Sequence, residues 1–185
     1  MSGRTFRPPS VTDHPHAVSA YVRRLVADGI LVSLAVVLSI VERWIPLNFL
    51  IPVPGIKLGL ANIVTLFALY RLAFVDAAAI LVVRCVLTSL FLGPASLVFS
   101  LFGGTCALLV MALLRRGDGR AFSVYGVSMA GAAAHNIGQV AAACLILQDL
   151  SLATSYLPML LLVGLLTGIP TAAAAVPVLR RLKKI

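Results

Sequence analysis

The sequence predicts an all-α, polytopic membrane protein that folds as one bundle of six transmembrane helices, and three observations lead to this prediction. Of the 185 residues, 61% are hydrophobic and 11% are charged, and the mean hydropathy is +1.05, whereas an ordinary soluble domain is about 25% charged. The apolar residues form runs long enough to cross about 30 Å of hydrocarbon as helices. The basic residues collect between these runs.

Breaks in the apolar pattern divide the chain into six predicted spans. The fourth span contains no charged residue, which argues against a soluble helical protein, and the second and third are of marginal length. Residues 1–22 are predicted to be a flexible cytoplasmic tail, and residues 23–185 the transmembrane domain. The spans are predicted at about Arg24–Glu42, Leu58–Phe74, Val75–Leu92, Ala95–Leu114, Phe122–Gln148 and Tyr156–Leu179.

The positions of the basic residues predict that both termini are cytoplasmic. Twelve of the fifteen lysines and arginines lie near the two termini, at the junction of the second and third spans, or in the loop after the fourth span. The opposite side holds Arg43 and Lys57, and Arg84 lies within the third span. Cytoplasmic loops of membrane proteins are enriched in such residues. The net charge of +9 is therefore explained by topology, and we expect no nucleic-acid partner.

Arg84 is the most informative residue because a guanidinium cannot lose its proton and costs at least about 2.5 kcal/mol at the centre of a bilayer. It must face a protein interior, a water-filled cavity or an anion. Its counter-ion could be Glu42 or an anionic group of a ligand, and both alternatives stay open. Asp28, by contrast, lies four residues after Arg24 and is predicted to pair with it.

Most other polar residues of the spans are predicted at mid-depth or nearer the outer side, which indicates a polar pocket that opens outward. In the fifth span, Gln139 shares a helix face with His135 and with Asn136. The alternative is that these groups hydrogen-bond one another and hold helices together. The predicted substrate-binding residues are Arg84, Asn62, His135, Asn136, Gln139, Lys57 and Glu42.

The longest predicted loop, from Arg43 to Lys57, faces outward and is apolar and rich in proline. It suits a lid over a cavity, and anchoring at the membrane interface through Trp44 is an equally good interpretation. The six acidic residues are scattered, and none forms the aspartate-rich motif that holds Mg²⁺ against a diphosphate. With no P-loop, CxxC or HExxH motif, we predict no catalytic residue, no metal and no cofactor, which favours binding over catalysis.

Four segments of the chain carry a family resemblance. The most specific is the run Lys57-Leu58-Gly59-Leu60-Ala61-Asn62 within residues 52–66, and the other three are Phe99–Gly104, Ser123–Ala132 and His135–Gln139. Together they resemble the Gx transporter family of bacterial membrane proteins, also labelled heptaprenyl diphosphate synthase component I. The resemblance covers roughly residues 25–180 and implies a location in the bacterial inner membrane.

This family is similar to the substrate-binding S components of energy-coupling factor transporters. The similarity implies six helices, a vitamin-like ligand in the outer half, and a lid between helices one and two. It also implies, as partners besides membrane lipid and the ligand, a transmembrane coupling protein with ATPases. S components use an Ala-x-x-x-Ala face on helix one for coupling. Here Gly29-x-x-x-Ser33 keeps the small-residue spacing, and Ala35-x-x-x-Ser39 follows it.

The resemblance thus predicts an S-component-like, substrate-binding transport protein for a small vitamin- or cofactor-like molecule. The alternative is a non-catalytic membrane subunit associated with heptaprenyl diphosphate or quinone synthesis, or with quinone- or flavin-linked electron transfer. A prenyl diphosphate synthase needs paired aspartates for its metal ions, and this chain has none. An electron-transfer role would require a bound redox cofactor.

Overall fold

The computed structural model describes residues 14–44, 60–116 and 122–181, without the side chains of residues 14–20 and 43. These residues form an all-α fold of six helices, as predicted. Helix α1 begins ten residues before the predicted first span, so it takes in part of the predicted tail, whose residues 1–13 lie outside the described chain. The helices are α1 His14–Trp44, α2 Leu60–Arg71, α3 Phe74–Leu92, α4 Pro94–Arg115, α5 Val124–Leu147 and α6 Ser151–Arg181.

Five of these helices are long and apolar enough to cross a membrane, so the chain is a multi-pass membrane protein. Helix α2 is the exception to the predicted six full-length spans. Its twelve residues reach only about 18 Å at 1.5 Å per residue. Other helices surround it, because it packs against α1, α3, α4 and α6. Every residue from Ala61 to Leu69 except Ile63 is buried.

Contacts between helix ends bring most of the described arginines to one side of the bundle. The Arg115 guanidinium at the end of α4 donates through Nη1 to the Leu69 carbonyl oxygen in the last turn of α2. The arginine also lies over the Tyr70 ring, with 5.3 Å between Cζ and the ring centroid. We call this side, which holds Arg24, Arg71, Arg115 and Arg116, the basic end. It is the end predicted to be cytoplasmic.

Arg24 at the basic end pairs with Asp76 of α3 and not with Asp28, so the predicted Arg24–Asp28 pair is wrong. Arg24 Nε donates to Asp76 Oδ2 at 2.9 Å, and Nη2 donates to the same oxygen. Asp76 also accepts the Ala73 backbone N–H at 3.0 Å, which fixes the carboxylate at the positive end of α3. Oδ1 of Asp28 is buried without a hydrogen-bond partner in the described residues.

We expect Asp76→Ala to lower the free energy of unfolding more than Arg24→Gln does. The first variant removes both the ion pair and the hydrogen bond from the Ala73 backbone N–H to Asp76 at the start of α3, and a capping interaction of this kind is worth about 0.3–1.5 kcal/mol. The second removes only the pair, whose arginine is 49% exposed and therefore screened by solvent. Thermal unfolding in detergent measures both, with the exposed Arg23→Gln as control. Equal losses for the two variants would show that the cap contributes nothing.

Short connections and caps define the remaining helix ends. A tight turn separates the third and fourth helices: Gly93, with φ +87°, joins α3 to Pro94 at the start of α4. Ser123 Oγ accepts the Gly126 backbone N–H at 3.2 Å where α5 begins. Asp149 Oδ1 accepts the Ser151 N–H at 2.8 Å, and its hydrogen bonds with Ser151 lower the pKa of Asp149. Each cap satisfies a backbone donor that the first turn of a helix leaves free.

Helices α4, α5 and α6 approach closely because glycines lie at their contacts. A Cβ atom on Gly138 of α5 would lie 2.6 Å from the Phe102 carbonyl oxygen of α4, and one on Gly168 of α6 would overlap the Met129 Cα atom of α5. Small residues allow such approach in membrane bundles, where close packing replaces the hydrophobic effect. The approach of α5 to α4 positions one wall of the cavity described next.

Candidate functional site

A small cavity of about 80 Å³ lies at the end of the bundle opposite the basic end. Five helices surround it: the last turns of α1, the first turn of α2, the second half of α3, the first turns of α4 and the middle of α5. It lies toward the end of the bundle that the sequence predicts to face outward. The described residues that line it are Ser39, Glu42, Ala61, Asn62, Arg84, Thr88, Leu92, Ser96, Ser100 and His135.

Arg84 faces this cavity and not lipid, since only 5% of it is exposed. Its Nε and Nη2 atoms are buried and have no hydrogen-bond partner in the described residues. Thr88, one turn further along α3, is 3% exposed, and its Oγ1 atom is also without a partner there. A buried donor left unpaired costs about 1–3 kcal/mol, and more when it is charged. The cavity is therefore lined by donors that suit an anion.

Glu42 lies in the same lining and is 8% exposed. It was one of the two counter-ions that the sequence left open for Arg84. The Nε and Nη2 atoms of Arg84 form no hydrogen bond with it, so Glu42 does not satisfy these two donors. The second alternative, an anionic group of a ligand, stays open.

The close packing of α3 against α4 places the guanidinium. A Cβ atom on Gly104 of α4 would overlap Leu81 Cδ1 and lie 3.3 Å from Arg84 Nη2. On the other side of the same helix, a Cβ atom on Gly103 would lie 2.9 Å from the His135 carbonyl oxygen of α5. The two glycines let α4 fit between α3 and α5. They thereby bring Arg84 and His135 to one cavity from two helices.

Of the other predicted site residues, the structure brings some to the cavity and leaves others elsewhere. Asn62 and His135 line it. Asn136 does not, because it lies one helical position, about 100°, from His135 and its Nδ2 donates to the Leu160 carbonyl oxygen of α6 at 2.6 Å. Gln139 packs beside Gly103 and is not in the lining. Lys57 lies outside the described residues.

Sequence reasoning left four polar lining residues out of the predicted set: Ser39, Thr88, Ser96 and Ser100. Their spacing was a usable signal. Thr88 follows Arg84 by four residues, Ser100 follows Ser96 by four, and Glu42 follows Ser39 by three, and such pairs share a helix face. Ser89 faces away from the cavity and donates to the Val86 carbonyl oxygen at 2.7 Å.

Two further predictions concern the loop and the coupling face. The loop residues 45–57 lie outside the described part, so both the lid and the interfacial anchor remain predictions. On α1, Gly29 and Ser33 are exposed, and Ser33 Oγ donates back to the Gly29 carbonyl oxygen at 2.9 Å. Ala35 is fully buried, so the second small-residue pair, Ala35 and Ser39, faces the interior of the bundle.

A family model described as heptaprenyl diphosphate synthase component I matches residues 31–178. The chain belongs to this family. The match extends from α1 to α6 and includes the whole described lining of the cavity, which confirms the family part of the sequence resemblance. No match was found among curated proteins or among solved structures. Within the described residues of this heptaprenyl diphosphate synthase component I family member, no three histidines, cysteines or acids group as a metal site would require.

Proposed function

We propose that this protein is a substrate-binding membrane component, of the S-component type, for a small vitamin- or cofactor-like molecule. The ligand carries an anionic group that pairs with Arg84. The observation that carries the proposal is the pair of buried guanidinium nitrogens, Nε and Nη2, that adjoin a cavity and lack a hydrogen-bond partner in the described residues. An arginine offers five donors in a planar fork that matches carboxylate and phosphate groups.

The chemistry of the cavity wall supports one anionic group surrounded by neutral donors. Thr88 Oγ1 adds a buried hydroxyl four residues from Arg84, and Asn62, Ser96 and Ser100 add further hydrogen-bonding groups. A carboxylate or a singly charged phosphate ester fits this arrangement best.

The cavity volume of about 80 Å³ limits what the site encloses. Pockets that hold a whole drug-sized ligand measure about 300–1,000 Å³. The cavity therefore accommodates the anionic group, while the rest of the ligand extends beyond it. The predicted lid, from Arg43 to Lys57, begins in the last two residues of α1, next to Glu42, and ends five residues before Asn62. It is therefore the part of the chain that we propose to cover the rest of the ligand.

Coupling to a transmembrane partner with ATPases is the second part of this proposal. The exposed Gly29 and Ser33 on α1 support it because a Cβ atom on Gly29 would meet nothing within 4 Å. A partner helix could approach the backbone closely there. Copurification of a membrane partner that is lost in Gly29→Leu, but retained in Val37→Leu on an exposed part of the same helix, tests this step.

A ligand screen on the purified protein tests the binding site. We expect an anionic vitamin-like compound to raise the melting temperature, and its neutral amide or ester analogue to have no effect. Arg84→Gln should weaken binding at least about 30-fold, because removing one partner of a buried charge pair costs about 2 kcal/mol or more. Thr88→Val should weaken it less, and Arg180→Gln, at the exposed end of α6, should not change it. Equal affinity of wild type and Arg84→Gln would rule out this site.

The family description favours a second candidate, a non-catalytic membrane subunit that works with a prenyl diphosphate synthase. A prenyl diphosphate also combines an anionic group with an apolar chain. Native mass spectrometry of the protein extracted from its own membranes separates the two functions. A bound small molecule with no soluble subunit supports the first. A soluble, aspartate-rich subunit whose synthase activity requires this chain supports the second.

A further inference from the structure

A second concave surface lies at the basic end, away from the Arg84 cavity. It is a groove of about 580 Å³ between the end of α4 and the α2–α3 junction. Its apolar walls are formed by Phe74 at the start of α3 and, further toward the middle of the bundle, by Leu109 and Leu113 of α4. These three side chains are 44%, 55% and 63% exposed. The other end of the groove, where α4 ends, is formed by Arg115 and Arg116. The groove thus changes from apolar to cationic along its length.

The α4 side of the groove follows one face of that helix. Leu109, Leu113 and Arg116 are spaced i, i+4 and i+7, and such residues lie above one another on a helix. Seven residues correspond to about 10.5 Å along the axis. The apolar stripe therefore leads directly to the guanidinium of Arg116, in the direction of the predicted membrane surface.

Arg115 and Arg116 both have guanidinium donors available for an anion, but their surroundings differ. Arg115 is held in place by its hydrogen bond to the Leu69 carbonyl oxygen and by the Tyr70 ring, and these contacts do not use all of its five donors. Arg116 is exposed. The described lining contains no acidic residue, and Asp76, on the neighbouring α3, is already bonded by Arg24. Over its described lining, the groove therefore carries a net positive charge.

We propose that this groove binds one phospholipid with an anionic headgroup, from the leaflet at the basic end. The phosphate lies between the Arg115 and Arg116 guanidinium groups, and an acyl chain lies along Leu109 and Leu113 beside Phe74. Charge complementarity and the order of apolar and basic residues support this occupant. Basic pockets between helices on the cytoplasmic side are suited to anionic headgroups, and each basic residue near such a surface adds to the attraction. The site is separate from the Arg84 cavity and independent of its function.

Native mass spectrometry of the purified protein, titrated with phosphatidylglycerol or with phosphatidylcholine of the same acyl chains, tests the proposal. We expect phosphatidylglycerol to form a saturable one-to-one adduct that phosphatidylcholine displaces poorly. Arg116→Gln should weaken this adduct at least about five-fold, as expected for the loss of one interfacial positive charge. Leu113→Gln should also weaken it, because the acyl chain would then pass a polar side chain.

Arg180→Gln is the matched control because Arg180 is an exposed arginine at the end of α6 and is not in the groove lining. It should leave the phosphatidylglycerol adduct unchanged. If Arg180→Gln weakens the adduct as much as Arg116→Gln, the lipid is attracted by general surface charge and the site is refuted. Equal binding of the two lipids refutes it as well. Since both arginines are exposed, neither variant should unfold the protein, which an unchanged melting temperature verifies.

Discussion

Arg84→Met is expected to make the ligand-free protein more stable, although it removes a charged residue from the middle of a helix. Wild-type Arg84 is 95% buried with two nitrogens unpaired in the described residues. Methionine has a similar length and is flexible enough to fill the space. An unsatisfied buried donor costs about 1–3 kcal/mol, and more if charged, so we expect a gain of about 1 kcal/mol or more in the free energy of unfolding. Thermal unfolding in detergent measures it.

The same substitution should abolish stabilisation by the anionic ligand, so that stability and binding change in opposite directions. Thr88→Val is the smaller matched change, because it replaces one buried unpaired hydroxyl on the same face by a methyl group. It should be neutral or slightly stabilising without ligand. A large loss of stability in ligand-free Arg84→Met would mean that the guanidinium is already satisfied within the fold, and the argument for an external anion would fail.

Gly168→Ala should destabilise the bundle by about 1–3 kcal/mol or more, as overpacking a close contact does. The new methyl group would overlap the Met129 Cα atom and lie 2.8 Å from its backbone nitrogen. Backbone atoms cannot rotate away as a flexible side chain can. Helices α5 and α6 would have to separate along an interface that also carries the Ser128 hydroxyl's hydrogen bond to the Gly168 carbonyl oxygen at 2.8 Å. A lower melting temperature in detergent is the expected readout.

Gly29→Ala is the control for this prediction, because it makes the same chemical change inside another helix where the added carbon meets nothing within 4 Å. Alanine is a better helix former than glycine by about 1 kcal/mol. The control should therefore be neutral or stabilising. If Gly168→Ala behaved like Gly29→Ala, the close α5–α6 contact would be absent from the folded protein.

The class of protein and the helix positions follow closely from the sequence. The predicted third and fourth spans agree with α3 and α4 to within one residue at each end, because glycine, proline and charged residues interrupt the apolar runs there. Helix α2 was overestimated in length. Its apolar composition is typical both of a helix that crosses lipid and of a helix buried in protein. Hydropathy does not show whether lipid or other helices surround an apolar segment.

The identity of the site residues was only partly predictable. Arg84 stood out because a permanent charge in an apolar run requires shelter, whatever the fold. Asn136 was predicted beside His135, yet its amide binds α6, because one helical position turns a side chain by about 100°. In a soluble helix, the hydrophobic face would have indicated that rotation. Here the lipid-facing and protein-facing sides are both apolar, so the pattern carries little information about which way each side chain points.

The sequence by itself determined three things: that the chain is a membrane protein, at which residues its helices lie, and that one guanidinium must be sheltered from lipid. These follow from the sequence because the solvation of side chains in hydrocarbon is a local property of each segment. Only the tertiary structure decided which groups surround that guanidinium and which do not. Asn62, Ser39 and Ser100 line the same cavity as Arg84 from three helices, and Arg24 binds Asp76 of another helix, not the neighbouring Asp28. These contacts join residues that are distant in the chain, so they depend on how the helices rotate and approach one another. The glycines of α4, α5 and α6 set the close approach of those three helices.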